Sequence, residues 1–143
     1  MTAFKNYLVP VDFSRGSEIA LKHAVKLARE KRSKLLLVHV LPAMTVYPPE
    51  GAFFNYREIL QKDAQDQFKR LVRRMGLKPA EYRCTILLAE DTARAIARQA
   101  RKSRAAMIIM ASHGRTGLQR LLLGSVAERT LRYAECPVLI VKK

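Results

Sequence analysis

The sequence predicts an α/β protein, a three-layer α/β/α sandwich built on one five-stranded parallel sheet. Three observations lead there: apolar runs too short for helices, segments of helical spacing between them, and regular alternation of the two along 143 residues. Strands buried on both faces read as near-continuous apolar runs, and right-handed crossovers place the connecting helices on the two sides of the sheet. A chain of this length, 49% of it apolar, buries one core of ordinary size, so a single domain over 1–143 is expected.

Residues 7–11, Tyr-Leu-Val-Pro-Val, give the first strand, ending at Asp12. Ala20, Ala24, Leu27 and Ala28 then recur at helical spacing, with Ser14 and Ser17 as cap candidates and Lys22, Lys26 and Arg29 turned outward. Residues 34–40 form the second strand. Residues 41–55 hold Pro42, Pro48, Pro49 and Gly51 and read as a loop. Leu60, Ala64, Phe68, Leu71, Val72 and Met75 make the stripe of a second helix, which Gly76 stops; Lys69, Arg70, Arg73 and Arg74 lie mostly off that stripe, as a solvated face. A third strand fits residues 82–88. A third helix follows the cap candidate Asp91, with Ala93, Ile96, Ala97 and Ala100 inward. Residues 106–110 give a fourth strand, 111–123 a loop, 125–134 a fourth helix and Val138-Leu139-Ile140-Val141 a fifth strand.

Composition limits the function classes. No stretch approaches the ~18 to 20 consecutive apolar residues that span a bilayer, and Met1-Thr2-Ala3-Phe4-Lys5 leads into a strand rather than a cleavable signal, so a soluble cytoplasmic protein is expected. Cys84 and Cys136 are too few and too scattered for a disulfide framework or a four-ligand zinc site. With 27 Lys and Arg against 12 Asp and Glu, the net charge of +15 attracts polyanions. Along the chain, however, these charges are spread evenly, without a basic tail or a block interleaved with aromatics, which argues against a dedicated nucleic-acid role.

In parallel sheets ligands bind beyond the C-terminal strand ends, where the strand order reverses. The segment after the fourth strand is the richest there: Ala111-Ser112-His113-Gly114-Arg115-Thr116-Gly117, then Gly124-Ser125 opening the last helix. Glycines let backbone amides approach an anion, and a helix N-terminus favours phosphate. Ser125-Val126-Ala127-Glu128 also matches a capping box, which occurs at many helices without a ligand. The connection spans about a dozen residues where a few would do. A polyphosphate site explains the excess.

This segment resembles the universal stress protein family, whose ATP-binding members carry Gly-x2-Gly-x9-Gly-Ser/Thr here; this chain has Ala111-x2-Gly114-x9-Gly124-Ser125. The likeness runs from Asn6-Tyr7-Leu8-Val9-Pro10-Val11-Asp12-Phe13-Ser14 through Leu36-Leu37-Val38-His39-Val40 to Cys136-Pro137-Val138-Leu139-Ile140-Val141. It implies an adenine nucleotide alpha hydrolase-like sheet of order 3-2-1-4-5 and a bound ATP or AMP, with Mg accompanying the triphosphate. Adenine would lie near Pro10, Val11, Asp12 and Val40, ribose near Met110 and Ala111, and phosphates near Gly114, Arg115, Gly124, Ser125 and Val126. Val11, Val40 and Met110 can sandwich a ring, and Asp12 can accept from the exocyclic amine, although Asp12 equally suits a turn. Ala111 replaces the first glycine of the pattern: harmless at negative φ, damaging if the position needs positive φ or direct backbone contact.

His23 and His39 share no metal-ligand spacing and read as structural, whereas His113 sits in the phosphate loop within reach of a ligand but without a nearby acid to orient it as a base, and reads as loop-stabilising. No Gly-x4-Gly-Lys-Ser/Thr loop occurs, and Asp12-Phe13-Ser14 lacks the paired acids of a phospho-acceptor domain. No residue is poised to activate water, so the expected role is regulatory, not catalytic, with an unnamed protein partner. The resemblance also implies a homodimer paired through the last strand, which would protect an exposed apolar edge. The alternatives are a ligand-free interaction module, for which Ala111 speaks, and electrostatic binding to nucleic acid or an anionic membrane.

Overall fold

The computed structural model describes residues 5–43, 53–114 and 123–142. Its elements run β1 (Asn6–Pro10), α1 (Arg15–Lys31), β2 (Lys34–Pro42), α2 (Phe53–Arg74), β3 (Tyr82–Ala89), α3 (Thr92–Lys102), β4 (Met107–Ala111), α4 (Ser125–Tyr133) and β5 (Val138–Val141), with a 3₁₀ turn at Pro79–Glu81. All strand pairings are parallel and the order is β3-β2-β1-β4-β5. This is the predicted order.

The two faces of the sheet carry separate cores. Val9, Leu35, Leu37 and Ile109 meet Leu21 and Val25 of α1 and Phe68 and Leu71 of α2. Leu8, Val38, Ile108 and Met110 meet Ile96 and Ala100 of α3 and Ala127 of α4. Alternation along each strand sorts its side chains between these layers. Leu8, Leu37 and Ile108 are wholly inaccessible, so truncating any of them to Ala would cost about 2–5 kcal/mol.

Local chemistry sets the helix ends. Ser14 Oγ accepts from the Ser17 amide (3.2 Å) and caps α1, and Asp91 accepts from the Arg94 amide (3.2 Å) and caps α3. α1, α2 and α3 each close with a residue in the left-handed region just past the last turn: Arg32, Gly76 and Arg104.

Several boundaries shift by a residue or more from the sequence expectation, and three of the shifts bear on the site. β2 runs on through Pro42, because the Ala43 amide bonds Ala89 O on β3 (3.1 Å) and alternation turns the proline nitrogen to the side where β1 has already ended. α2 starts at Phe53, inside the expected loop. Ala111 belongs to β4, paired with Val141, not to the loop after it.

Candidate functional site

β1 and β4 are neighbours whose connections leave in opposite directions, so the sheet opens between them at its C-terminal end. A cleft of about 290 Å³ lies there, lined by Pro10, Val11 and Asp12 after β1, Val40 on β2, Met110 and Ala111 on β4, Gly114, and Gly124, Ser125 and Val126 at the start of α4. These are the residues singled out from the sequence, apart from Arg115, which lies outside the described residues along with Thr116 and Gly117. Val38, Ile96 and Met110 continue the apolar core up into its walls. The upper rim is polar backbone and hydroxyl.

Asp12 does the work of a turn residue: its Oδ1 accepts from the Ser14 amide at 2.9 Å, one step before Ser14 caps α1. Its Oδ2 faces Gly114, where a Cβ would come within 3.0 Å of it. The segments after β1 and β4 therefore approach each other closely across the cleft. Gly124 closes the other side: its amide donates to Ser112 O at 2.6 Å, and a Cβ there would sit 3.0 Å from that oxygen and 3.3 Å from His113 Cα. Any larger residue would push the two loop ends apart.

The capping box expected at Ser125 does not form. Gly124 is the N-cap, its carbonyl accepting from the Glu128 amide at 2.9 Å, and Ser125 is the first helical residue. Among the described residues the Ser125 hydroxyl has no hydrogen-bond partner, and the residue is exposed at the cleft. Free amides at the start of α4 and this hydroxyl face the same space.

Ala111 has an extended conformation, with no positive φ. Strand alternation puts Met110 on the α3 and α4 side and turns the Ala111 methyl to the α1 side, 3.5 Å from where a Cβ on Gly16 would stand. A Cβ at Gly16 would also come within 3.1 Å of His113 O. The His113 carbonyl is thus what favours a glycine at position 16, while the spacing to the Ala111 methyl is ordinary van der Waals contact. Sequence reasoning passed over Gly16; a glycine in the first turn of α1, where a better helix former costs less, was the signal.

Several other wall residues escaped the sequence reading: Ser17, Thr92, Ile96 and Ser112. His39 is structural, as expected, yet it also lines the cleft: its Nδ1 lies 2.6 Å from Val11 O, and since a carbonyl only accepts, that nitrogen carries the proton. Its ring packs 4.7 Å from Phe13, which holds a positive φ of 63°. His113 Nδ1 lies 3.1 Å from Ser112 Oγ. Beside the cleft, Asp91 bonds Arg129 and pairs with Arg94 (3.3 Å), tying the start of α3 to the middle of α4. Burial draws the Asp91 carboxyl upward, but the Arg94 amide and the Arg129 guanidinium outweigh it and hold the pKa below the ordinary value.

Comparison with known proteins agrees with this frame. The universal stress protein family's sequence model matches residues 3–142. The chain belongs to the universal stress protein family. Universal stress protein MJ0531 of Methanocaldococcus jannaschii is 36% identical over 142 residues, covering 98% of this chain and 83% of that protein. Universal stress protein YxiE of Bacillus subtilis is 30% identical, covering 97% and 99%. The solved structure of MJ0577, from the same archaeon, superposes with a TM-score of 0.83 at 30% identity, over 98% of this chain and 96% of that one. This family member also shares its fold with a universal stress protein solved with cAMP (TM-score 0.68, 19% identical, 99% and 98% covered). Another, from Archaeoglobus fulgidus, was solved with dAMP (TM-score 0.69, 22% identical, 99% and 100% covered).

Proposed function

We propose that the protein is a nucleotide-responsive regulator that binds an adenine nucleotide, ATP or AMP, in the cleft between β1 and β4. The observation that carries the reading is the coincidence of an apolar slot, walled by Val11, Val40 and Met110, with an uncapped helix start at Gly124 and Ser125. A purine fits the first and a phosphate the second. At about 290 Å³ the cleft is near the lower end of small-molecule sites, ~300–1,000 Å³, which suits a nucleoside with its phosphates along the rim. Nucleotides bound by the two more distant structures, cAMP and dAMP, are of this class.

A triphosphate would bring its own magnesium. Among the described residues no three His, Cys, Asp or Glu side chains gather to hold a metal. The phosphates would therefore hold the ion, with Asp12 and Ser125 among the hard oxygen donors of the cleft. The reading includes no dedicated catalytic step. It also takes the chain, as a single domain, to act in the cytoplasm and to pair as a homodimer through β5. Support for these is that no helix among the described residues is long and apolar enough to cross a membrane, that Cys84 and Cys136 are free thiols, and that β5 ends the sheet.

The alternative of a ligand-free module rests on Ala111; its extended backbone and a methyl turned towards Gly16 support the nucleotide reading instead. Thermal unfolding with no ligand, Mg-ATP, AMP and GTP at fixed salt tests the proposal. A ligand at about 100 times its Kd adds about 2.7 kcal/mol to the native state, a shift of several degrees. ATP or AMP, but not GTP, should raise the midpoint. No shift with any of them would sink the nucleotide reading.

A further inference from the structure

In a parallel sheet every helix returns to the edge where the strands begin, so the C-terminal ends of α1 and α3 meet the starts of β1, β2 and β4 at the pole opposite the cleft. Cations that the sequence spaces widely collect there. The Lys34 amide donates to Lys5 O (3.2 Å), Asn6 pairs with Lys34, and the Ala106 amide donates to Asn6 O (2.8 Å). Lys31 and Arg32 lead into Lys34, and Lys102 and Arg104 lead into Ala106. All six of Lys5, Lys31, Arg32, Lys34, Lys102 and Arg104 are exposed, and none enters an ion pair among the described residues. Of the acids that flank them, Glu81 is held by Arg29 (2.8 Å) and Glu135 by Arg101 (3.3 Å); Glu30 stands in the last turn of α1.

Helix dipoles favour cations at such ends. They do not explain the backbone. α1 and α3 each close with a second amide bonded back to the last turn, Ser33 to Ala28 O and Ala105 to Ala100 O, both at 2.8 Å. α2 closes the same way, Leu77 to Val72 O at 3.0 Å. Each closure needs one residue in the left-handed region, and only α2 uses the default glycine, Gly76, at φ 64°. The other two place arginine there, Arg32 and Arg104, both at φ 52°. A side chain at that angle is strained where glycine is not. Two equivalent positions at this pole thus hold a cation at the expense of local stability.

We infer that this pole docks the phosphate backbone of duplex nucleic acid, independently of the nucleotide cleft. Among the described residues, none of the exposed large apolar side chains, Tyr56, Ile59, Val126, Leu131 and Leu139, stands on the helix ends and strand starts that carry these six cations, which leaves the patch poor in the anchors that a membrane or a stable protein interface requires. Among the described residues it presents no exposed aromatic for base stacking, which disfavours single strands. Cations on three adjacent strands span about 10 Å, and a duplex carries one charge per about 1.7 Å of axis, so several phosphates fall within reach.

The test is fluorescence anisotropy of the full chain with a labelled mixed-sequence duplex of about 20 base pairs, titrated from about 50 to 200 mM salt. About four phosphate contacts predict weakening on the order of a hundredfold across that range. The double variant Arg32→Gly, Arg104→Gly should bind about tenfold more weakly and lower the salt slope by about two, with a melting temperature equal to or above that of the parent. The control Lys69→Gln, Arg70→Gln removes the same charge from α2 and should retain most of the affinity. Equal loss in both variants, no binding by the parent, a lower melting temperature in the glycine variant, or tighter binding to polyglutamate or phosphatidylserine vesicles at the same salt would each overturn the inference.

Discussion

Ala111 shows how a single methyl group is judged by direction rather than by size. Because it is extended and its methyl turns towards Gly16 on α1, Ala111→Gly should change AMP or ATP affinity by less than about threefold, under ~0.7 kcal/mol, in calorimetric titration. Gly124→Ala should lose at least about tenfold, since its Cβ would meet Ser112 O at 3.0 Å and force the two loop ends apart. Ser125→Ala separates two roles. A cap would cost about 1 kcal/mol in urea unfolding; a first-turn residue whose hydroxyl caps nothing costs less than about 0.5 kcal/mol. The second result is expected, with the loss appearing in ATP affinity. Cys84 carries a different expectation. The residue is exposed by area on edge strand β3, yet its thiol lines a groove against Phe68 and Val72, and burial pushes its pKa up to about 11. At pH 8 its thiolate fraction is about a hundredfold below that of an ordinary cysteine, so labelling by a disulfide reagent should be slow by a similar factor. Reaction as fast as that of an unfolded control would show that the groove does not enclose the sulfur.

Between residues and molecule, the helix ends explain what could be read in advance. Ser14 and Asp91 are legible as caps because a cap needs only one side chain and an amide three residues on. The extension of β2 through Pro42 and the membership of Ala111 in β4 are not, because the neighbouring strand decides them. The start of α4 is an intermediate case: the Ser125 to Glu128 spacing is a sound local signal, but Ser112 O fixes the Gly124 amide and moves the cap one residue earlier. For α3 the cap also titrates. The pKa of Asp91 is held below its unfolded value, so its stabilising contribution is complete above about pH 4 and is lost as pH falls through the folded-state value. The Arg29 hydrogen bond lowers Glu81 in the same sense. Asp91→Asn should therefore lower stability at pH 7, while the gap between variant and parent narrows towards pH 2. A gap that stays constant with pH in denaturant titrations would remove the charge from the account and leave only the cap.

Across the whole molecule, topology converts a dispersed sequence pattern into located ones. The two-sided core and the strand-end position of the cleft follow from alternating apolar runs, which is why they were legible, whereas the strand order was legible only through the family resemblance; the gathering of Lys5, Arg32, Lys34 and Arg104 at one pole follows from where helices end, which no window along the chain displays. The same topology leaves two open edges, β3 and β5. They are not equivalent. β3 presents Arg83 and Cys84 at its exposed start, whereas Leu139 on β5 and Val126 and Leu131 on the adjoining α4 are 41%, 38% and 44% exposed. An apolar edge strand with unpaired amides invites another strand, and a closed two-fold pairing satisfies it without extending into a fibre. The expected species in light scattering after gel filtration is therefore twice the chain mass at micromolar concentration. Leu139→Lys places a charge opposite its own symmetry mate and should give a monomer whose far-ultraviolet circular dichroism and AMP binding are retained. If the parent is already monomeric, the β5 edge is protected in some other way; if Leu139→Lys remains dimeric, the copies meet on a surface other than β5.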